Sequence, residues 1–292
     1  MPDAAATAIA PSGGSRDSTP LRRWALVLPL LLLVLLLFIA PIGRVLWLSF
    51  AEPELGLDNY RRILTSTGIQ AVLWNTLRIC AITTVISVVL GYLVAYVLVH
   101  VSPRQFRWMM LCILVPFWVS VLVRAFAWLT LLHSNGLVNR ALLATGLVSE
   151  PLALVRNELG VVIGMVHYML PYAILPLYAG MLGIDPRLVH AARGLGAGPL
   201  AAFARVFLPL SLPGVFGATL LVLIFSLGFY ITPIILGGGK TVMIAEFISV
   251  QILQTANWGT GTMLASVLLL SVLLVLAMLG RLVDTRALFS GR

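Results

Sequence analysis

Long runs of apolar residues recur along the whole chain, and they constrain its fold more than any other feature. A helix needs about 20 apolar residues to cross roughly 30 Å of hydrocarbon. Six runs reach that length: 25–49, 72–99, 108–132, 159–182, 212–236 and 260–282. A helix satisfies its backbone polar groups internally, as lipid requires, whereas a barrel would show short alternating segments. The sequence predicts an all-α polytopic membrane protein with six transmembrane helices.

The composition fits a chain that is dissolved in lipid. Of the 292 residues, 60% are hydrophobic and 10% are charged, whereas a soluble domain carries about 25% charged residues. The first run is longer than the core of a signal peptide and has no evident cleavage site, which favours an uncleaved helix. We expect a disordered cytoplasmic segment (1–23), a first helix with its outer loop (24–70), a five-helix core (71–282) and a cytoplasmic tail (283–292).

The distribution of arginine and lysine predicts the orientation in the membrane. With the N-terminus inside, the inner segments hold eleven of these residues and the outer segments hold six. Basic residues collect on the cytoplasmic side of membrane proteins, so we expect both termini in the cytoplasm. This topology accounts for the net charge of +9 without nucleic-acid binding.

The segment Ile234–Thr241, "IILGGGKT", resembles the end of a phosphate-binding loop. A complete loop of that kind requires a glycine at position 234, and its lysine must face cytosolic nucleotide. Lys240 is predicted to lie beyond the outer end of the fifth span. We therefore interpret the glycines as a turn after Pro233 and not as a nucleotide site.

The inner loop between the fourth and fifth spans carries the most specific motif. Asp185 and Pro186 are suited to start a helix, and "GAGP" at 196–199 is suited to end it. The pattern predicts two short amphipathic helices under the membrane. From periodicity alone, these helices could pack on the protein's own spans or on lipid headgroups, or they could dock a soluble partner.

This loop resembles the signature loop of permease subunits in binding-protein-dependent ABC importers. The family pattern has Glu-Ala-Ala, three residues, Gly, nine residues, Ile, one residue and Leu-Pro. The spacing is intact here, with these residues at the motif positions: His190, Ala191, Ala192, Gly196, Val206, Leu208 and Pro209. The family's leading glutamate is replaced by His190, which removes an expected negative charge and could make docking pH-sensitive. The resemblance implies that the first helix is a coupling helix, which inserts into an ATPase subunit.

The resemblance extends from about Asn75 to the last span. The segments "LVRAFAWLTLLHSNGLVN" and "SLGFYITPIILGGGKTVMIAEFISVQI" look most like the first permease of spermidine/putrescine importers. The resemblance implies import of a small solute across the bacterial inner membrane. Its implied partners are an ATPase subunit dimer, a second permease and an extracytoplasmic substrate-binding protein. Permeases for iron(III), sulfate or another small anion, and a lone channel or membrane enzyme, are the alternatives.

Three residues are candidates for the substrate path. Arg124 is a charge well inside a span, and such charges are often functional, although a long side chain can also reach the interface. Phe229 and Tyr230 could hold a cation over their rings or lie at the membrane boundary as interfacial aromatics. The sequence shows no catalytic motif, no metal-binding cluster and no cofactor motif. We therefore expect no enzymatic activity in this subunit.

Overall fold

The computed structural model describes residues 20–282. Every regular element in this part of the chain is helical. The helices are α1 (Pro20–Val34), α2 (Ala40–Ala51), α3 (Asp58–Thr65), α4 (Thr67–His100), α5 (Pro103–Trp118), α6 (Val121–Leu132), α7 (Leu137–Ala144), α8 (Glu158–Leu182), α9 (Pro186–Gly194), α10 (Pro199–Ala202), α11 (Leu208–Leu227), α12 (Ile231–Gly237), α13 (Ile244–Leu253) and α14 (Trp258–Leu282). Short π-helical turns join α1 to α2 and α10 to α11.

Six helical stretches of the described chain are long and apolar enough to cross a membrane. They are Val27–Ala51, Thr67–His100, Val121–Ala144, Glu158–Leu182, Pro199–Leu227 and Trp258–Met278. The predicted all-α architecture with six spans is confirmed. Residues 1–19 and 283–292, which hold most of the predicted N-terminal segment and the predicted tail, lie outside the described residues.

Two of the predicted spans are interrupted in the structure. The predicted span 108–132 contains most of α5 and all of α6, which are separated at Val119 and Ser120. The predicted span 212–236 contains most of α11 and most of α12, which are separated at residues 228–230. Hydropathy does not detect such breaks, because the residues that interrupt the helix are themselves mostly apolar.

The core is built on three long helices, α4, α8 and α11, which pack against one another. Small residues permit the close approach that packing in lipid relies on. A methyl group on Gly91 would lie 2.8 Å from Cβ of Ala173, so α4 and α8 touch almost backbone to backbone. A methyl group on Gly180 of α8 would lie 3.0 Å from Cα of Gly214 in α11.

The chain divides into two compact units, one ending at Trp47 and the other starting at Leu48. The first unit contains α1 and the first part of α2. The second unit contains α3 to α14 and has three buried apolar clusters, centred on residues such as Met165, Met169 and Met263.

The second unit has two ends, which we name after a helix, α9, and a residue, Lys240. The α9 end is where α4 and α8 finish and where α9 lies. The Lys240 end holds the start of α8 and the turn after α12. In that turn Gly238 has a φ of 57°, and a methyl group on it would lie 2.7 Å from Cγ of Arg156. The positive φ and the lack of space for a side chain both explain why a glycine occupies the turn that ends α12.

The two cysteines of the chain differ in burial. Cys80 of α4 is buried, whereas Cys112 of α5 is exposed. Phe106 and Phe117 of α5 pack on tyrosines of α8, whereas Cys112 lines an open cleft with residues of α4 and α8.

Candidate functional site

The loop between α8 and α11 folds around α9, which starts at a well-defined cap. The Asp185 carboxylate accepts a hydrogen bond from the backbone N–H of Arg187 at 2.9 Å, and Pro186 is the first helical residue. An acidic N-cap followed by proline satisfies and pre-forms the first turn. The helix predicted from this pair is therefore present, over Pro186–Gly194.

Gly196 ends α9 in a Schellman motif. Its φ is 92°, in the left-handed region that favours glycine. The backbone N–H of Gly196 donates to Arg193 O at 3.0 Å, and that of Ala197 donates to Ala192 O at 3.1 Å. Two carbonyls at the end of the helix are thereby satisfied. The positive φ at this position therefore explains why the motif has glycine there.

The second half of the motif lies on a π-helical turn. Val206 belongs to the turn Phe203–Phe207, where the N–H of Leu208 donates to Phe203 O. Pro209 follows in the first turn of α11. Proline provides no N–H and its ring clashes with the carbonyl four residues earlier, and a wider turn before it accommodates this defect. The chain can therefore continue from α10 into α11 without a break.

One face of α9 and its neighbour α10 is apolar and exposed. Leu188 is 49% exposed, Leu195 is 90% exposed and Leu200 of α10 is 80% exposed, and Ala191 is exposed between them. We call Leu188, Ala191, Leu195 and Leu200 the α9 patch. The inner face is different, because Val189 packs against the buried cluster of α4, α8 and α11.

A cavity of about 480 Å³ lies behind α9. His190 and Arg193 of α9 line it together with His100, the last residue of α4. Its aromatic wall is formed by Tyr96, Phe203 and Phe207, with ring centroids 5.2 to 5.9 Å apart. His190 thus stands in a basic and aromatic setting at the α9 end, and the cavity that it shares with His100 was not expected from the sequence.

Arg124 lies about halfway through the bundle, beside α8. Its guanidinium carbon is 4.4 Å from the centroid of the Tyr168 ring, which is cation–π geometry. Tyr168 is ten residues into α8, or about 15 Å along the helix. Nε and Nη1 of Arg124 are buried and have no hydrogen-bond partner among the described residues. Arg124 lies in the first turn of α6, which begins at Val121, so it is close to the break between α5 and α6.

Tyr168 belongs to a continuous series of aromatic rings. Its ring centroid is 4.5 Å from that of Phe229 and 5.8 Å from that of Tyr172. The Tyr172 ring in turn lies 4.8 Å from Phe225 and 5.3 Å from Phe117, centroid to centroid. The structure therefore brings Arg124 and Phe229 together through Tyr168. The spacing of four between the two tyrosines places them on one helix face.

The two helix breaks lie at the level of these rings. Phe117, just before the break at Val119, contacts Tyr172, and Phe229, inside the break after α11, contacts Tyr168. Non-helical backbone at membrane depth is tolerated where it is buried in protein or lines a cavity. The aromatic series thus coincides with the place where the backbone is irregular.

The remaining path candidate, Tyr230, is outside the aromatic series, and Arg78 and Glu246 were not among the candidates. Tyr230 is 44% exposed at the start of α12 and has no ring contact within the described part of the chain. Arg78 of α4 forms an ion pair with Glu158, with Nε 3.1 Å from Oε1. Glu246, on α13, is buried and its Oε2 has no hydrogen-bond partner among residues 20–282. Burial raises the pKa of this carboxyl, against an opposing hydrogen bond from the backbone of Met243.

Comparison with known sequences connects these features to one family. Residues 87–287 match the family described as "Binding-protein-dependent transport system inner membrane component". The chain is 33% identical over 214 residues to the spermidine/putrescine transport system permease protein PotB of Haemophilus influenzae, covering 73% of this chain and 74% of that protein. It is also 33% identical over 213 residues to PotB of Escherichia coli K12, covering 73% and 77%.

Solved structures agree on the fold. A bacterial ABC transporter involved in the import of the acidic polysaccharide alginate superposes with a TM-score of 0.71 at 20% identity, over 90% of this chain and 96% of that one. A bacterial alginate ABC transporter in complex with an alginate pentasaccharide-bound periplasmic protein superposes with a TM-score of 0.75 at 18% identity, over 93% and 98%. The predicted family resemblance is confirmed. This chain, a multi-pass inner-membrane protein, belongs to the family of binding-protein-dependent transport system inner membrane components.

Proposed function

We propose that this chain is the permease subunit of an ATP-driven importer that moves a small polyamine, putrescine or spermidine, across the bacterial inner membrane. The observation that carries the proposal is the 33% identity to two spermidine/putrescine permeases over nearly three quarters of the chain. The subunit itself has no enzymatic role. Both termini lie in the cytoplasm, because this orientation puts most arginines inside.

The α9 patch is the surface that meets the ATPase subunit. In this orientation α9 lies in the cytoplasm, and the three leucines of the patch stay exposed among the described residues of this subunit. Exposed apolar patches of this kind mark interaction sites. The residues behind the patch, including His190 and Val206, transmit movement of the docked ATPase to α8 and α11. An ATPase dimer, a second permease and a substrate-binding protein complete the transporter.

The substrate path follows the aromatic series through the bundle. Its rings offer cation–π contacts to an alkylammonium group, and the broken helices beside them provide a place where the path can open. Carboxylates that neutralise the polyamine come from the second permease or from the binding protein, because the six spans of this chain carry no acid near Tyr168 within the described residues.

A permease for a small anion such as sulfate, or for iron(III), is the second candidate. The two unpaired nitrogens of Arg124 favour the anion, since a buried guanidinium normally meets an oxyanion or a carboxylate. A lone channel or membrane enzyme accounts less well for the α9 patch.

Substrate-stimulated ATP hydrolysis by the complete transporter separates these candidates. The complex is reconstituted in lipid with its binding protein and is tested with putrescine, spermidine, sulfate and ferric iron. Stimulation by the polyamines alone supports the proposal. Stimulation by sulfate or ferric iron in place of the polyamines replaces it with the second candidate.

A further inference from the structure

The Nε and Nη1 atoms of Arg124 are buried, and its side chain has no acidic partner among the described residues. The residues that line the cleft around Arg124, such as Trp128 and Thr232, are apolar, aromatic or neutral polar. The exception is His167, which can carry a charge. A buried charge ordinarily requires a paired carboxylate or several hydrogen bonds. Here the contact of the guanidinium with the Tyr168 ring, at 4.4 Å, takes the place of such a partner. The side chain is therefore held on a ring face and not by directional bonds from Nε or Nη1.

The ring that Arg124 covers is an internal ring of the aromatic series, with a neighbouring ring on each side. Tyr168 contacts Phe229 on one side and Tyr172 on the other. A polyamine that follows these rings must meet the face of Tyr168, and two cations on one ring face repel each other. The arginine and the proposed substrate thus compete for the same surface.

The backbone next to Arg124 allows the arginine to move away. Arg124 lies in the first turn of α6, and its backbone N–H donates to Ser120 O at 3.0 Å. The break between α5 and α6 lies immediately before that turn, at Val119 and Ser120, and it follows Pro116. Breaks of this kind act as hinges, because a few residues absorb the backbone rotation.

We infer that the face of Tyr168 is an alkylammonium-binding subsite and that Arg124 is its resident cation, which occupies the ring until the substrate's ammonium displaces it. The inference rests on the proposed function for the identity of the substrate. Arg124 thereby sets specificity, because a ligand must bind the aromatic series well enough to replace a guanidinium. It also keeps the subsite closed to water and small inorganic cations between transport cycles.

Binding of labelled spermidine to the complex of both permeases and the ATPase tests this inference. The binding protein is omitted, since it would otherwise set the apparent affinity. Spermidine can bind only to the fraction of molecules in which Arg124 has left the Tyr168 ring. If Arg124 covers the ring about nine tenths of the time, that fraction is about one tenth, and Arg124→Gln lowers the dissociation constant of spermidine about tenfold. Guanidinium chloride then competes with spermidine in Arg124→Gln, whereas sodium chloride at equal ionic strength does not.

Three further variants separate competition from a structural effect. Arg124→Lys retains a cation and keeps spermidine binding near the wild-type value. Tyr168→Leu removes the ring, and in that background Arg124→Gln produces no gain. Arg78→Gln removes another arginine of a membrane-length helix, one that is paired with Glu158 at the start of α8, and it leaves spermidine binding unchanged.

The outcomes distinguish this inference from the proposed function. Unchanged or weaker spermidine binding in Arg124→Gln overturns the inference, as does the absence of spermidine binding in all variants. Loss of sulfate binding in Arg124→Gln also overturns it and makes Arg124 an anion ligand. Failure of the complete transporter to accumulate polyamines overturns the proposed function instead. Tighter spermidine binding in Arg124→Gln would then still establish a cation subsite.

Discussion

At the scale of single residues, the motif positions were predictable, but their physical reasons were not. The spacing of the loop motif identifies Gly196 and His190 directly from the sequence. That Gly196 has a positive φ, and that His190 shares a cavity with His100, depends on backbone geometry and on the packing of distant segments. The same holds for Arg124, whose depth follows from hydropathy but whose contact with Tyr168 does not.

Gly196 can be tested against a neighbour that differs in backbone conformation. A methyl group added to Gly194 or to Gly196 would meet nothing within 4 Å, but of the two only Gly196 has a positive φ. Gly196→Ala therefore costs about 1–2 kcal/mol in the turn and distorts the approach of α10. We expect reduced polyamine uptake at equal membrane abundance, with uncoupled ATP hydrolysis, whereas Gly194→Ala transports normally. Equal uptake by both variants would contradict this account of the turn.

Glu246 gives a prediction about pH. Burial raises the pKa of this carboxyl, so between its ordinary and its raised value the folded protein binds more protons than the unfolded chain. Stability then falls as pH rises through that window, and the loss is complete above the raised pKa. Glu246→Gln removes this loss.

The thermal midpoint of the purified complex measures that effect. The gain from Glu246→Gln is larger at about pH 8 than at about pH 5, where more of the carboxyl is protonated. Glu158→Gln is the comparison variant, since Glu158 is a partly exposed partner of Arg78. Parallel pH profiles of the wild type and Glu246→Gln would show that Glu246 does not carry an unfavourable buried charge.

At the scale of helices, the sequence predicts how many spans exist but not where they are interrupted. Six apolar runs are sufficient to find six spans, because hydropathy measures side-chain transfer into lipid. Hydropathy does not report backbone conformation, so it does not predict the breaks at 119–120 and 228–230. Pro116 and Gly228 were the local signals for them. The fifth span also starts earlier than predicted, because the π-helical turn before Pro209 lets α10 continue into α11.

The α9 patch can be tested by placing a charge on it. Leu195 is 90% exposed, so Leu195→Asp leaves the packing of this subunit intact but puts a carboxylate into the proposed apolar contact with the ATPase. An unpaired charge in an interface costs several kcal/mol, and we expect the ATPase subunit to be lost on purification. Leu55→Asp, at a residue 78% exposed in the turn between α2 and α3, retains it. Retention of the ATPase by Leu195→Asp would place the docking surface elsewhere.

At the scale of the whole molecule, the two ends of the second unit have different tasks in the proposed function. The α9 end presents an exposed apolar patch backed by a cavity with basic and aromatic walls. The Lys240 end is held by capped turns and by the ion pair between Arg78 and Glu158. Between them, broken helices and an aromatic series lie near the middle of the bundle. This arrangement fits alternating access, in which closure of the ATPase at one end opens the path at the middle.

The family was accessible from the sequence, because the loop motif is a local pattern of about 20 residues whose spacing survives substitution of its first residue. The membrane orientation stays a prediction, which depends on the count of arginines on each side. Substrate identity is less accessible, because the proposed recognition is divided between this chain and proteins with sequences of their own.

ATP-dependent accumulation of labelled spermidine in sealed proteoliposomes tests the central claim most directly. The liposomes hold the complete transporter, with its binding protein supplied on one side of the membrane and ATP on the other. The account predicts accumulation of spermidine against its gradient, which is lost without ATP and reduced in Gly196→Ala. Accumulation of sulfate but not of spermidine, or spermidine flux that is indifferent to ATP, would contradict it.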